Sequence, residues 1–185
     1  MNWLDPIGAG LSLICTYYFT CANRFAWLLG MAAIIVNVSL YWQKGIYGNF
    51  FLEGIYFASM VFGWIKWRSG CKAERMIRYL TLRQGLQIFL IAITSILIFS
   101  YVLSTWTDSD IPYWDATTTV LGLIAEWLLC LKIIHCWILW FIVDFLVAVL
   151  QWYKGIPFHS AIHWVYLIMA IMGYYRWHKL YHQPA

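Results

Sequence analysis

Seven apolar stretches, each about as long as a bilayer is thick, follow one another along a chain of only 185 residues. A membrane-crossing helix needs about 20 largely apolar residues. The stretches run over roughly 6–22, 25–43, 46–67, 83–105, 114–132, 135–153 and 156–177. The expected fold class is therefore an all-α integral membrane protein with seven transmembrane helices. Composition agrees: 63% of residues are hydrophobic and 11% charged, whereas a soluble domain carries about a quarter charged residues. The 37 aromatic side chains, 13 of them Trp, suit headgroup-level belts and ligand pathways.

The boundaries have local causes. Asp5-Pro6 reads as a helix cap followed by proline in the first turn, and Pro112 with Asp115 opens the fifth stretch in the same way. Lys44-Gly45 and Lys154-Gly155 separate runs that would otherwise fuse. Residues Met1 to Pro6 lack the basic segment of a signal peptide, so the first stretch is expected to stay as a span. The five cysteines (Cys15, Cys21, Cys71, Cys130, Cys136) have no metal-ligand spacing and read as small buried hydrophobes.

Charge sorts by side. With seven crossings, Arg24, Lys66, Arg68, Lys72, Arg75, Arg78, Arg83, Lys132, Arg176 and Lys179 share one side, and only Lys44 and Lys154 face the other. Basic residues accumulate on the cytoplasmic side. The N-terminus is thus expected outside and the C-terminus in the cytoplasm, in a multi-pass protein of the cell (inner) membrane.

The chain also repeats itself. At an offset of 110 residues, without a gap, Asp5 matches Asp115, Trp27 matches Trp137, and Trp42 matches Trp152. Lys44-Gly45-Ile46 matches Lys154-Gly155-Ile156, Tyr56 matches Tyr166, Gly63 matches Gly173, and Trp67 matches Trp177. Three spans lie in each copy and one connects them, so both copies enter the membrane in the same direction. The expected division is 1–68 as the first three-helix repeat, then 69–112 as cytoplasmic loop, connector helix and acidic outer loop. The second repeat and tail occupy 113–185. Parallel repeats of this kind are used by transporters, with the substrate at the repeat interface.

Three acids, Glu53, Glu126 and Asp144, fall inside spans. An acid at the bilayer centre costs about 2.5–3.5 kcal/mol and usually faces a cavity or a partner. Too few basic residues lie in the spans to pair with them. Asn37 falls at a depth similar to that of Glu53. Glu53 and Tyr56 share a helix face, as do their repeat counterparts His163 and Tyr166, and Trp140 lies one turn from Asp144. Carboxylates beside aromatic rings suit a delocalised cation, through charge attraction and a cation–π term of about 2 kcal/mol when desolvated. Trp67 and Trp177, next to Lys66, Arg68 and Arg176, read as anchors at the membrane interface. Gly63 and Gly173 read as points of close helix approach. His178 and His182 carry only a weak suggestion of metal binding.

The run Tyr47-Gly48-Asn49-Phe50-Phe51-Leu52-Glu53-Gly54-Ile55-Tyr56, ending in Gly63-Trp64-Ile65-Lys66-Trp67, resembles the PnuC family of vitamin-precursor transporters. So do Pro112-Tyr113-Trp114-Asp115, the segment from Trp137 through Trp140 to Asp144, and Gly173-Tyr174-Tyr175-Arg176-Trp177. The family is similar to the SWEET sugar transporters in its 3+1+3 plan. The resemblance implies facilitated uptake of nicotinamide riboside for NAD biosynthesis, with trapping by phosphorylation in the cell; related members carry thiamine, riboflavin or deoxynucleosides. Where the family's pattern has Gln and Asn, this chain has Glu53 and Asp144. Both are amide-to-acid exchanges, and both favour a cation, thiamine included.

The substrate-binding set expected is Asn37, Asn49, Glu53, Tyr56, Glu126, Trp137, Trp140, Asp144, His163 and Tyr166. The partners expected are the small-molecule substrate (nicotinamide riboside or thiamine) and the lipid bilayer, with a homo-oligomer, a trimer, as an option. No nucleic acid, cofactor, metal or catalytic residue is expected, and no ATP-binding loop appears. Two other classes stay open. A membrane-embedded enzyme would draw on Glu126, His135 and His178 near the cytoplasmic face, and a scaffold would bind no small ligand.

Overall fold

The computed structural model describes residues 4–43, 47–69, 77–107, 111–153 and 157–182, with side chains at 7–39, 52–68, 77–107, 111–153 and 160–182. Among these residues the chain forms seven helices in the order of the apolar stretches: α1 (Leu4–Thr20), α2 (Phe25–Gln43), α3 (Tyr47–Ser69), α4 (Leu82–Trp106), α5 (Pro112–Cys130), α6 (Cys136–Tyr153) and α7 (Pro157–His182). Helix starts follow capping chemistry. Thr81 and Gln84 form a reciprocal capping box at α4. Pro112 opens α5, with Asp115 in its first turn against the positive end of the helix dipole.

α4 and α6 are each long and apolar enough to cross a membrane. The outer surface explains why the chain needs lipid: on α4, Ile91, Leu97 and Ile98 are 58–61% exposed. Side chains of this kind, contiguous and uncovered, would aggregate in water.

The helices pack as two copies of one unit. α1 packs on α2 and α2 on α3; α5 packs on α6 and α6 on α7. α4 packs on α5. The halves meet along two seams, α1 against α7 and α3 against α5. Adding 110 to the residue numbers converts one seam into the other, as a twofold relation between the halves requires. α1 and α5 begin four crossings apart, so both point the same way.

Fine geometry repeats as well. The α1–α2 turn closes with Ala22 in the left-handed region at φ 51°, and the α5–α6 turn with Lys132 at φ 55°. In the first turn the Ala22 N–H donates to Phe19 and the Asn23 N–H to Tyr18; in the second the Lys132 N–H donates to Leu129 and the Ile133 N–H to Leu128. This double bond pattern satisfies helix-end carbonyls and normally calls for glycine at the left-handed position. Ala22→Gly is therefore expected to stabilise the protein by about 1 kcal/mol, seen as a rise in the melting temperature of the purified protein.

At the centre, a tryptophan of each half lies flat on a glycine of the same half. A methyl group on Gly63 would come within 2.4 Å of the Trp27 ring, and one on Gly173 within 2.5 Å of Trp137. Trp27 meets Trp67 edge-on at 5.2 Å, and Trp137 meets Trp177 at 5.5 Å. Each outer tryptophan then crosses to the opposite half. The Trp67 Nε1–H donates to the Cys130 carbonyl at the end of α5, and the Trp177 Nε1–H to the Phe19 carbonyl at the end of α1, both at 3.0 Å.

Trp67 and Trp177 are thus not interface anchors; they are 5% and 0% exposed, inside the core. Adjacent residues on a helix point about 100° apart, so the indoles turn in while their basic neighbours turn elsewhere: Arg68 is exposed, and Arg176 donates to the Thr20 hydroxyl at 2.7 Å. Cys15, Cys130 and Cys136 are buried as expected, but Cys21 is exposed, because it follows the end of α1 in the turn.

Candidate functional site

The seams leave a cavity of about 260 Å³ between the halves, lined from six helices. α2 contributes Asn37, α3 Glu53 and Tyr56, and α5 Glu126. α6 contributes Trp137, Trp140 and Asp144, and α7 contributes His163 and Tyr166. Nine of the ten side chains expected from the sequence therefore meet in one place. Asn49 lies on the backbone of α3, but its side chain is outside the described residues.

The repeat supplies a matched frame and then breaks its symmetry. On the first half, the Asn37 amide donates to Glu53 Oε1 at 3.2 Å. Asn37 is itself held by close approach of α1, since a methyl on Gly8 would stand 2.5 Å from its side-chain oxygen. On the second half, His163 Nδ1 and Asp144 Oδ1 are 2.8 Å apart. Glu53 and Asp144 thus each have one neighbouring group that orients the carboxylate. His163 packs edge-on against Tyr166 at 5.7 Å. Tyr56 reaches across to the second half, its hydroxyl 3.1 Å from where a methyl on Gly122 would sit.

Glu126 is the third acid and the most enclosed, at 3% exposure. Its Oε1 has no hydrogen-bond partner among the described residues. Among the described residues the lining includes no Lys or Arg. A carboxyl buried away from water and from cations is costly unless something else meets it.

Sequence reading missed the contribution of α1. Ser12, Cys15 and Thr16 also line the cavity, as do Met60 and Ala170. The signal was available: Thr16 is the repeat counterpart of Glu126, and Ser12 lies one turn before it on the same face. The histidine pair suggested for metal has another engagement, because His178 hydrogen-bonds the Tyr79 hydroxyl from the loop before α4.

Comparison with known proteins points in one direction. The model of the family described as nicotinamide mononucleotide transporter matches residues 2–179. The chain is 21% identical to the nicotinamide riboside transporter PnuC of Escherichia coli strain K12, over 96% of this chain and 85% of that one. To the protein of the same name from Neisseria mucosa it is 24% identical, over 97% of this chain and 73% of that one. The fold matches a crystal structure of the vitamin B3 transporter PnuC with a TM-score of 0.79, at 23% identity, over 97% of this chain and 82% of that one. With the family model covering almost its whole length, this chain belongs to the nicotinamide mononucleotide transporter family.

Proposed function

We propose that this chain takes up nicotinamide riboside by facilitated diffusion, binding its pyridinium ring in the cavity between the halves. The observation that carries the reading is a small cavity with three carboxyl groups, the Trp137, Trp140, Tyr56 and Tyr166 rings, and no Lys or Arg among the described residues. Its volume of about 260 Å³ lies near the lower end of small-molecule pockets (about 300–1,000 Å³), which fits one compact metabolite. Glu53, Glu126 and Asp144 attract the cation, the rings cover its faces, and Asn37 and His163 hold two of the acids in place. Charge distribution supports the orientation with the N-terminus outside and the C-terminus in the cytoplasm, and rocking along the two seams would open the cavity to each side in turn.

The same electrostatics separate the riboside from its phosphorylated form. A phosphate dianion among three carboxyl groups would lose its hydration without a compensating cation. Kinase action after entry would therefore yield a product this cavity rejects, which makes uptake one-way. The test is uptake into proteoliposomes without an imposed ion gradient. Labelled nicotinamide riboside is expected to equilibrate, and a 100-fold excess of the mononucleotide is expected not to compete. Equal competition by the mononucleotide, or a requirement for a proton or sodium gradient, would overturn this account.

Thiamine is the second reading, because its thiazolium is also a ring-borne cation and meets the same acids. Competition by thiamine exceeding that by the riboside would select it; a neutral nucleoside is expected to compete poorly with either.

A further inference from the structure

The wall of the cavity between the halves breaks the repeat at one pair of positions. Gly30 on α2 and Met60 on α3 have Trp140 on α6 and Ala170 on α7 as their counterparts 110 residues later, and all four line the cavity. Each half thus sets one large side chain beside one small one, in opposite order. On the second half the bulk is the flat indole of Trp140, and α7 answers with only a methyl. On the first half the bulk is the Met60 thioether, and it lies over Gly30. A methyl added at Gly30 would stand 2.7 Å from the Met60 sulfur and 2.8 Å from its Cε.

Cys15 on α1 closes another side of this contact, its Sγ 3.2 Å from the same methyl position. It is held in place: the thiol is buried and donates to the Ala26 carbonyl at 3.2 Å. The end of a methionine side chain, with three rotatable bonds behind it, is free to swing. A group entering the space over Gly30 therefore displaces the Met60 end and not Cys15. Helix packing alone calls for something to fill the gap between α2 and α3. This gap lies on the cavity wall, so whatever fills it also sets the volume left for a ligand. That volume, about 260 Å³, is already small for a metabolite site.

We infer that Met60, resting on Gly30, limits the size of the ring system this cavity accepts, an inference that rests on the proposed reading of the cavity as the substrate site. Trp140 offers a flat face from the second half and Met60 a polarisable sulfur from the first, and thioether sulfur sits favourably against aromatic rings. A single ring with its sugar fits the volume left. Two linked rings, as in thiamine, need the space the thioether fills. Charge does not separate these two candidates, because both carry a ring-borne cation and meet the same acids. Size does: one methylene in an apolar pocket is worth about 10–200-fold in selectivity, and the Met60 side chain is larger than that.

The experiment follows the melting temperature of the purified protein to obtain half-saturating concentrations of nicotinamide riboside and of thiamine. It compares the unsubstituted chain with Met60→Ala, Gly30→Ala and the double variant. Met60→Ala is expected to tighten thiamine binding about tenfold or more relative to the riboside. Gly30→Ala, whose methyl pushes the thioether into the cavity, is expected to weaken both ligands about tenfold. The double variant is expected to fall between the two, because the new methyl stands where the thioether was. Should Met60→Ala fold poorly, Gly30→Ala carries the test alone, since alanine favours the helix. A thiamine-to-riboside ratio unmoved by Met60→Ala, or unaltered binding in Gly30→Ala, overturns the inference. A second readout needs no ligand: the rate at which methyl methanethiosulfonate modifies Cys15, followed by mass spectrometry, is expected to rise in Met60→Ala as the thiol is uncovered. An unchanged rate also overturns the inference. A faster rate in a protein that shows no thermal shift with the riboside in any variant would refute the proposed function and leave Met60 standing as the filler of this wall.

Discussion

Replacing Glu53 by Gln together with Asp144 by Asn is expected to lower nicotinamide riboside uptake about 100-fold or more, with the helices intact. A hydrogen bond or ion pair to a charged group is worth about 1.5–3 kcal/mol, and each 1.4 kcal/mol is a factor of ten in affinity. Two such losses at one cation multiply. The substitutions keep size and shape, so the Asn37 amide still reaches an oxygen at position 53 and His163 still meets a polar partner at position 144. Side-chain volume is conserved while charge is removed. The informative readout is therefore the ratio of riboside to neutral nucleoside affinity, measured by competition in proteoliposomes. Both affinities falling together would indicate a collapsed cavity. Unchanged riboside affinity would take Glu53 and Asp144 out of the binding site.

The second large effect is on stability. Gly63→Val is expected to cost about 3 kcal/mol or more, near the upper end for overpacking a core. The first added carbon would lie 2.4 Å from Trp27, a ring that cannot retreat. Trp27 is fully buried, with Phe19 4.6 Å away on one side and Trp67 5.2 Å away on another. The consequence should be a sharp fall in melting temperature or in monodisperse yield from detergent. Trp27→Leu placed in the Gly63→Val background is expected to recover part of the loss, because it frees the volume the valine needs. Gly54→Ala on the same helix is the control: no atom lies within 4 Å of a methyl there, and the helix gains up to about 1 kcal/mol in propensity. Equal damage from both glycine substitutions would assign the effect to the helix backbone rather than to the Trp27 contact.

The helices were legible because the bilayer imposes a length, and the pairing of halves because identical Trp and Gly recur at one offset. The cavity was legible through expense. An acid within an apolar run has to be met by something, and Glu53, Glu126 and Asp144 could be gathered on that argument alone. Ser12, Cys15 and Thr16 on α1 were not, because small polar residues carry little cost in a helix that can bond a hydroxyl to its own carbonyls, as Thr16 does to Ser12. The burial of Trp67 and Trp177 was misread for a related reason. Flanking charges report the depth of a helix end, whereas the direction of a side chain depends on the neighbour that receives it. The contact of Arg78 with the α5–α6 turn, where its N–H donates to the Lys132 carbonyl and its carbonyl accepts from the Ile134 N–H, rests on backbone bonds, to which side-chain patterns are blind.

The crossed indole bonds have an evolutionary consequence. Each three-helix unit leaves a carbonyl at the end of its first helix for a donor that only the other unit supplies, from the tryptophan near the end of its third helix. A single unit is thus self-complementary: two identical copies, side by side and facing the same way, would satisfy both acceptors at once. An ancestral gene encoding half of this chain would already have specified a working pair. Because one chain carries both halves, the two need not match elsewhere: His163 stands where the first half has Glu53.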